Sequence, residues 1–188
     1  EEAFHKFDLP QDTVLGRIQQ VRFFSPAGAY FDYHPPETLA RVVDRTRFNQ
    51  FFAHQALSRG AQIKTASRVE SIRIKKDNVI VKVTGVDGGE SCYEAKILIL
   101  ATGVNYKLFE WIGLEAPKSF LGGAQIHIPY GQVRAGFKPA STSVYVGREV
   151  APGSFAWVVP LDQGTARLGL LSEKNPSLAF QINVVGLY

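Results

Sequence analysis

The sequence lacks several features that define other classes of protein. It contains no methionine and one cysteine, Cys92, so neither a disulfide framework nor a cysteine-based zinc site can form within the chain. No apolar run approaches the ~20 residues of a membrane-spanning helix, and the charged start does not resemble a signal peptide. We expect a cytoplasmic protein, and the missing methionine leads us to expect residues before Glu1.

Common motifs of phosphate-binding and hydrolytic enzymes are also absent. There is no Gly-x-Gly-x-x-Gly turn, and Gly131 and Gly136 have the spacing of a P-loop but are followed by Phe137 instead of lysine. The absence of a Gly-x-Ser-x-Gly turn disfavours a hydrolase. The four histidines lie far apart in the sequence, so we expect no metal site.

The composition is that of a folded protein with a sizeable core. Of the 188 residues, 45% are hydrophobic, and 13 are phenylalanine. The net charge of +4 is too small to indicate a nucleic-acid partner. It is compatible with a phosphate ligand, an anionic membrane surface or ordinary surface charge.

Apolar patterns predict an α/β arrangement before residue 104. Residues 18–24 and 29–33 are predicted to form a hairpin, and a helix is predicted between its cap, Asp44, and Gly60. The apolar face of that helix consists of Phe48, Phe51, Phe52 and Ala56. Further strands are predicted at 61–65, 69–74, 79–84 and 95–100, with a turn at Gly88–Cys92. Residues 97–100 of the last strand are continuously apolar, which indicates burial in a parallel sheet.

The later part of the chain has a different pattern. After Trp111, frequent glycine and proline separate several β-rich runs. The runs occupy residues 124–128, 143–146, 155–159 and 165–171. They predict a second, mostly antiparallel sheet.

The start of the predicted helix is the first candidate site. A helix N-terminus has free N–H groups and a partial positive charge, and an arginine there adds a planar group that matches phosphate oxygens. Arg45 is therefore placed to hold a phosphate or pyrophosphate. The alternative is a solvated side chain that pairs with Asp44 or Glu37.

Two later segments could also bind a ligand. The predicted buried strand runs into Ala101, Thr102 and Gly103, and ligands of α/β sheets bind at the carboxyl ends of strands. The alternative is a strand end that uses glycine for its turn. Phe155, Trp157 and Val159 share one face of a predicted strand, where they either line an apolar pocket or belong to the core.

Together, these segments resemble the flavoprotein superfamily that includes p-hydroxybenzoate hydroxylase and the geranylgeranyl reductases. The stretch Val43-Asp44-Arg45-x-x-Phe48-Asn49 resembles that family's Arg-x-x-Phe-Asp segment, whose arginine helps to bind FAD. Residues 97–103, which end in Ala101-Thr102-Gly103, resemble its second FAD strand. Arg68 and Val69 resemble the strand whose backbone meets the adenine.

A further segment is similar to the signature of the geranylgeranyl reductases, Pro-x-x-Tyr-x-Trp-x-Phe-Pro, which lines the cavity for a long isoprenoid chain. The matching residues are Pro152, Phe155, Trp157, Val159 and Pro160, with Phe155 in place of tyrosine and Val159 in place of phenylalanine. Both differences reshape the predicted pocket. His127 and Tyr130 are pocket candidates by their place in the second lobe, and no catalytic acid or base is identified.

The resemblance implies an α/β (α+β) fold with two lobes. A partial, Rossmann-like FAD-binding lobe would comprise residues 1–17 and 34–110, and a mostly antiparallel substrate lobe would comprise 18–33 and 111–188. The implied activity is the FAD-dependent reduction of carbon–carbon double bonds in a geranylgeranyl-type substrate, with NAD(P)H or another reductant as electron donor. The alternatives are a flavin-dependent monooxygenase or halogenase acting on an aromatic substrate, and a lipid-binding β module without catalysis.

The family's Gly-x-Gly-x-x-Gly turn and its later Gly-Asp motif are missing from this sequence. We therefore expect a portion of a longer protein that is inactive by itself. One charge-assisted hydrogen bond from Arg45 contributes roughly 1.5–3 kcal/mol, whereas micromolar binding requires ~8 kcal/mol. We expect this chain alone not to retain FAD. A lipid substrate would be compatible with peripheral membrane contact, and no nucleic-acid partner is expected.

Overall fold

The computed structural model describes residues 2–133, 141–161 and 164–174. The described residues up to Gln55 and from Phe120 onward form one compact unit, and Ala56–Ser119 form another. Three parts of the predicted second lobe lie outside the described residues, namely 134–140, which includes Gly136 of the P-loop-like spacing, 162–163 and 175–188. The lobe boundaries expected from the sequence stay a prediction.

Strands dominate the described part of the chain, and short helices separate some of them. In chain order the elements are α1 (Glu2–Lys6), β1 (Val14–Ile18), β2 (Gln20–Phe24), β3 (Tyr30–Tyr33), β4 (Ala40–Val43), α2 (Arg45–Ser58), β5 (Arg68–Ile74), β6 (Val79–Thr84), β7 (Glu90–Ala95), α3 (Lys107–Glu110), β8 (Gly122–Pro129), β9 (Ser141–Val146), β10 (Phe155–Leu161) and β11 (Thr165–Ser172). Single 3₁₀ turns lie at Gln11–Thr13 and Tyr130–Gln132. The mixed α/β fold class is thereby confirmed.

A six-stranded sheet forms the centre of the first unit. Its strand order is β3-β2-β9-β10-β11-β8, and every neighbouring pair is antiparallel except β2 with β9. The predicted hairpin and the predicted antiparallel sheet are therefore one continuous structure. Strands β1 and β4 form a separate antiparallel pair in the same unit.

The two faces of the large sheet differ in composition because side chains alternate along each strand. One face carries the core, where Ala156 opposes Leu170 and Val158 opposes Leu168. Burial of each such leucine stabilises the fold by roughly 1.5–3 kcal/mol. The other face is called the open face below. Its members on β8, β10 and β11 include Phe155, Trp157, Val159, Arg167, Gly169 and His127.

Helix α2 begins and ends where the sequence predicts. The Asp44 carboxylate accepts hydrogen bonds from the backbone N–H groups of Thr46 (2.9 Å) and Arg47 (3.2 Å), as an N-cap does. The helix ends at Ser58, and Gly60 follows it with a φ of 89°, a left-handed conformation that glycine adopts without strain. The predicted apolar face is only half-buried, and Phe52 remains 41% exposed.

The second unit contains a three-stranded antiparallel meander, β5-β6-β7. Strand β6 pairs with β7 in continuous register from Val79 to Thr84, whereas its pairing with β5 has a register shift between Val69 and Ser71. Cys92 lies within β7, opposite Lys82, so its predicted place in a turn was wrong. The turn ends at Gly89, whose carbonyl accepts a hydrogen bond from the Gly85 N–H group (2.9 Å).

Two predicted strands, 61–65 and 95–100, are not formed. Strand β7 ends at Ala95, and the apolar run that follows has irregular backbone with Ile97 79% exposed and Ile99 83% exposed. A strand is defined by a hydrogen-bonded neighbour, and no described strand pairs with residues 61–65 or 96–100. The expected burial in a parallel sheet was therefore wrong for this chain.

No helix in the described ranges is long and apolar enough to cross a membrane.

Candidate functional site

The open face brings together four of the six residues that the sequence placed in a substrate pocket. Phe155, Trp157 and Val159 are alternate residues of β10 and lie on this face. His127 of β8 lies on it too, because it is opposite Arg167 of β11, which is opposite Val159. Phe155 and Trp157 contact each other, with 5.7 Å between ring centroids. Because these side chains share a surface, they are able to bind one ligand.

Gly169 determines how the Trp157 side chain lies on this face. The two residues are directly opposite each other in the β10–β11 pair. A Cβ atom built on Gly169 would lie 2.6 Å from Cε2 of Trp157, closer than real Cβ atoms approach other atoms. The indole therefore occupies space that any other residue at position 169 would fill.

The aromatic surface continues across the sheet onto β9, β2 and β3. Trp157 is in register with Val144, and Val144 is in register with Phe23. Phe23 in turn stacks on Phe31, with ring centroids 4.9 Å apart. Three strand spacings of about 4.8 Å make this apolar row about 14 Å long. Sequence reasoning missed Phe23 and Phe31, because only strand register reveals that they align with Trp157.

One polar pair adjoins the apolar row. Arg167 lies opposite Val159 on one side and His127 on the other. Its Nε–H donates a hydrogen bond to Nε2 of His127 at 2.8 Å. Since Nε2 accepts, the imidazole carries its proton on Nδ1. The sequence predicted the strand that contains Arg167 but offered no signal for its pairing with His127.

The structure separates the other two pocket candidates from this face. Pro160 is buried on the core face, opposite Ala166. Tyr130 packs against the core cluster, and its hydroxyl donates a hydrogen bond to the Leu161 carbonyl. This geometry favours a structural role for both residues.

Arg45 is exposed at the start of α2. Its guanidinium lies 5.9 Å from the centroid of the Phe48 ring, and in the described chain no ion pair joins it to Asp44 or Glu37. Because the Asp44 carboxylate already occupies two of the helix N–H groups, a phosphate here would contact the arginine side chain more than the helix backbone. Arg45 is chemically suited to that contact.

Val69 lines an open cavity of about 340 Å³ in the second unit. The other lining residues come from β6, β7 and the segment before the meander: Gln62, Lys64, Ser67, Val83 and Tyr93. Neighbouring Arg68 points into solvent, 83% exposed, with Nε 3.6 Å from the Glu70 carboxylate. The cavity combines an aromatic ring, apolar side chains and hydrogen-bonding groups, which suits a planar heterocycle such as adenine.

Ala101, Thr102 and Gly103 form an exposed turn in the second unit. The Thr102 hydroxyl donates a hydrogen bond to the Asn105 carbonyl at 3.2 Å, and the Asn105 N–H donates to the Thr102 carbonyl at 3.3 Å. Gly103 has a φ of 59°, which glycine adopts without strain. The backbone here is accessible to a ligand, although the strand expected to precede it is not formed.

A charged group lies on the core face of the large sheet near its edge. The Arg22 guanidinium donates two hydrogen bonds to the Asp32 carboxylate, at 2.6 and 2.8 Å, and lies 4.1 Å from the centroid of the Tyr30 ring. The hydrogen bond from Arg22 lowers the pKa of Asp32 from its ordinary value to about 2. The same bond raises the pKa of Arg22. The pair joins β2 to β3 at positions that lie opposite each other.

Comparison with known proteins supports a common origin. The chain is 29% identical over 166 residues to digeranylgeranylglycerophospholipid reductase of Methanosarcina acetivorans, a match covering 87% of this chain and 40% of that protein. It is 26% identical over 168 residues to geranylgeranyl diphosphate reductase of Rhodobacter capsulatus, covering 89% and 42%. The chain thus spans about two-fifths of the length of these relatives.

The fold is shared with a solved structure. A geranylgeranyl bacteriochlorophyll reductase-like protein from Thermoplasma acidophilum superposes with a TM-score of 0.81 at 19% identity, covering 96% of this chain and 49% of that one. In addition, residues 12–176 match the family described as FAD dependent oxidoreductase. The resemblance inferred from the sequence is confirmed, and the chain belongs to the FAD dependent oxidoreductase family.

Proposed function

We propose that this chain supplies the substrate-binding sheet and part of the FAD site of a reductase that saturates carbon–carbon double bonds in a prenyl chain of the geranylgeranyl type. The observation that carries the proposal is the aromatic row of the open face, from Phe31 to Trp157. Two relatives are named for geranylgeranyl substrates, and an extended apolar row suits a linear chain of isoprene units.

The aromatic side chains have a binding and orienting role in this proposal. Phe155 and Trp157 contact the prenyl chain through apolar surface and exclude water from it. Val159 takes less space than an aromatic residue and leaves room beside Trp157. No described side chain is assigned as catalytic acid or base.

Three parts of the chain are suited to hold FAD. Arg45 would contact a phosphate oxygen, and Val69 lines the cavity suited to the adenine, with the solvent-exposed Arg68 next to it in the sequence. The turn at 101–103 would present its backbone to the cofactor. When bound and reduced, FAD would supply a hydride to one carbon of the double bond, and a proton from solvent would go to the other. NAD(P)H or another reductant is the proposed source of electrons.

The reaction test uses the whole protein to which we assign this chain. Incubated with FAD, a chemical reductant such as dithionite and geranylgeranyl diphosphate, it should yield products heavier by two hydrogen atoms per reduced bond, measured by mass spectrometry. The variant Trp157→Ala should lose most of this activity. A product that gains an oxygen atom from O₂ would instead support the monooxygenase alternative. Prenyl binding without any conversion would support the non-catalytic lipid module.

The location of the protein is part of the same proposal. We assign it to the cytoplasm, with peripheral contact to a membrane that holds its lipid substrate. Exposed aromatic side chains on the edge strand β3, namely Tyr30 (57%), Phe31 (61%) and Tyr33 (49%), support such contact. Sedimentation of the chain with phospholipid vesicles tests it, and recovery entirely in the supernatant would contradict it.

A further inference from the structure

The open face is divided into an apolar and a polar part along its strands. Side chains on one face of a strand repeat about every 7 Å, so the row through Trp157 lies about that far from the next row. That next row contains Val159, Arg167 and His127 in register. An apolar surface therefore ends at an arginine and an imidazole that are hydrogen-bonded to each other.

Arg167 is an unusual residue in its surroundings. No aspartate or glutamate occurs in β8, β9, β10 or β11, and Arg167 is the one lysine or arginine in these four strands. Within the described ranges no salt bridge joins it to a carboxylate. Its Nε–H donates to His127, which leaves the N–H groups of the two terminal nitrogens to other acceptors. A half-buried cation without a carboxylate is suited to an anionic ligand.

The same hydrogen bond fixes the position of the Arg167 guanidinium and the tautomer of the His127 imidazole. Because Nε2 accepts from Arg167, Nδ1 carries a proton and can donate to a second group. A ligand phosphate would then accept from the terminal nitrogens of Arg167, while the hydrogen bond from Nε to His127 holds the guanidinium in place. Charge-assisted hydrogen bonds of this kind are the strong ones in proteins.

We propose that Arg167, positioned by His127, is the binding residue for the phosphate of a prenyl ester whose apolar chain lies along the row from Trp157 to Phe31. This inference rests on the proposed function, since it assumes that the open face binds a prenyl chain. The shared chemistry is a phosphate group joined to that chain. Both a soluble prenyl diphosphate and a prenyl phospholipid contain it.

The test measures binding to the 188-residue chain. In a Trp111→Phe background, Trp157 is the single tryptophan, and its fluorescence reports ligand binding to the open face. Three probes are compared: geranylgeranyl diphosphate, digeranylgeranylglyceryl phosphate and the uncharged alcohol geranylgeraniol. The variants are Arg167→Gln and a matched control, Arg17→Gln, which removes an exposed arginine from the separate β1–β4 sheet.

We expect Arg167→Gln to weaken diphosphate binding about tenfold or more, as loss of a charge-assisted hydrogen bond does, and to change geranylgeraniol binding less than twofold. Arg17→Gln should change neither. If both phosphate probes lose affinity, the site accepts either source, whereas a loss for one probe alone identifies that source. Raising the salt concentration should reduce the difference between the diphosphate and the alcohol for the parent chain.

The outcomes separate this inference from the proposed function. If all prenyl probes bind and Arg167→Gln weakens none of them, or weakens the alcohol equally, the phosphate site is refuted and the prenyl site stands. If no prenyl probe binds the parent chain, the prenyl site itself is refuted. The substitution His127→Ala provides a second variant, which should reproduce a smaller, phosphate-specific loss.

Discussion

The indole of Trp157 and the backbone of Gly169 occupy adjoining positions that leave no room for a Cβ atom between them. Nε1 of the indole would lie 3.0 Å from such an atom, and Cε2 would lie 2.6 Å from it. The φ of Gly169 is not in the left-handed region, so the requirement for glycine is steric and not conformational. Gly169, on the strand opposite Trp157, therefore determines where the indole can lie on the open face.

Substitution of Gly169 by alanine should displace the indole. We expect Gly169→Ala to lower the free energy of unfolding by about 1–3 kcal/mol, the usual cost of overpacking, and to change the tryptophan signal in near-ultraviolet circular dichroism. Gly123→Ala is the matched control, because its Cβ would lie 3.2 Å from Cδ2 of Leu171, a side-chain end that can move. Equal effects of the two substitutions in urea unfolding would argue against a specific role for Gly169.

The Arg22–Asp32 pair should make the stability of the β2–β3 hairpin depend on pH. The hydrogen bond from Arg22 lowers the pKa of Asp32 from 3.8 to about 2. A carboxyl with a lowered folded-state pKa stabilises the fold above its unfolded pKa, and that contribution is lost as the pH falls through the folded value. We therefore expect the loss between about pH 4 and pH 2.

Urea unfolding of the parent chain and of Asp32→Asn at several pH values tests this expectation. The difference in unfolding free energy between the two should be largest above pH ~4 and should shrink as the pH falls toward 2. The substitution Asp87→Asn, at an exposed carboxylate in a turn of the second unit, serves as control. A difference for Asp32→Asn that is constant from pH 5 to pH 2 would contradict the assignment.

The cap of helix α2 should contribute to stability independently of any ligand. Removing the carboxylate with Asp44→Ala leaves the N–H groups of Thr46 and Arg47 without their partner, which costs about 1 kcal/mol. Asp44→Asn retains a capping oxygen and should cost much less. Thermal unfolding followed by far-ultraviolet circular dichroism measures both, and an Asn variant as unstable as the Ala variant would show that charge matters more than capping.

Local signals in the sequence predicted most of these elements. Asp44 and Gly60 mark the ends of α2, and the apolar alternation of 165–171 matches β11, because caps and alternation depend on neighbouring residues. The predictions failed where the structure of a segment depends on pairing with residues that are distant in the sequence. Residues 97–100 have the composition of a buried strand but no described partner, and composition alone does not provide one.

The same distinction between local signals and long-range pairing applies to the candidate site. Period-two alternation correctly grouped Phe155, Trp157 and Val159 on one face. It could not show that Phe31 and Arg167 join them, since cross-strand register is not a property of any single segment. Pro160 was assigned to the pocket through the resemblance to the reductase signature, and Tyr130 by its place in the second lobe. The alternation of β10 places Pro160 on the opposite face.

The role of Arg45 in FAD binding can be separated from a general effect of charge by comparison with Arg47. Both arginines lie in the first turn of α2, but Arg47 donates a hydrogen bond to the Asp12 carboxylate at 2.6 Å, whereas Arg45 has no such carboxylate among the described residues. Removing the exposed Arg47–Asp12 ion pair should change stability little, because surface ion pairs contribute about 0–1 kcal/mol.

In the whole protein, Arg45→Ala should therefore weaken FAD binding about tenfold or more, the effect expected from loss of one charge-assisted hydrogen bond to a phosphate. Arg47→Ala should retain FAD as the parent does. Flavin absorbance per protein after dialysis measures retention, and thermal unfolding of the FAD-free forms shows whether either substitution perturbs the fold. Equal flavin content in Arg45→Ala and the parent would refute the phosphate contact. Equal loss in both variants would instead indicate that the net charge of the helix start, and not the arginine at position 45, attracts the cofactor.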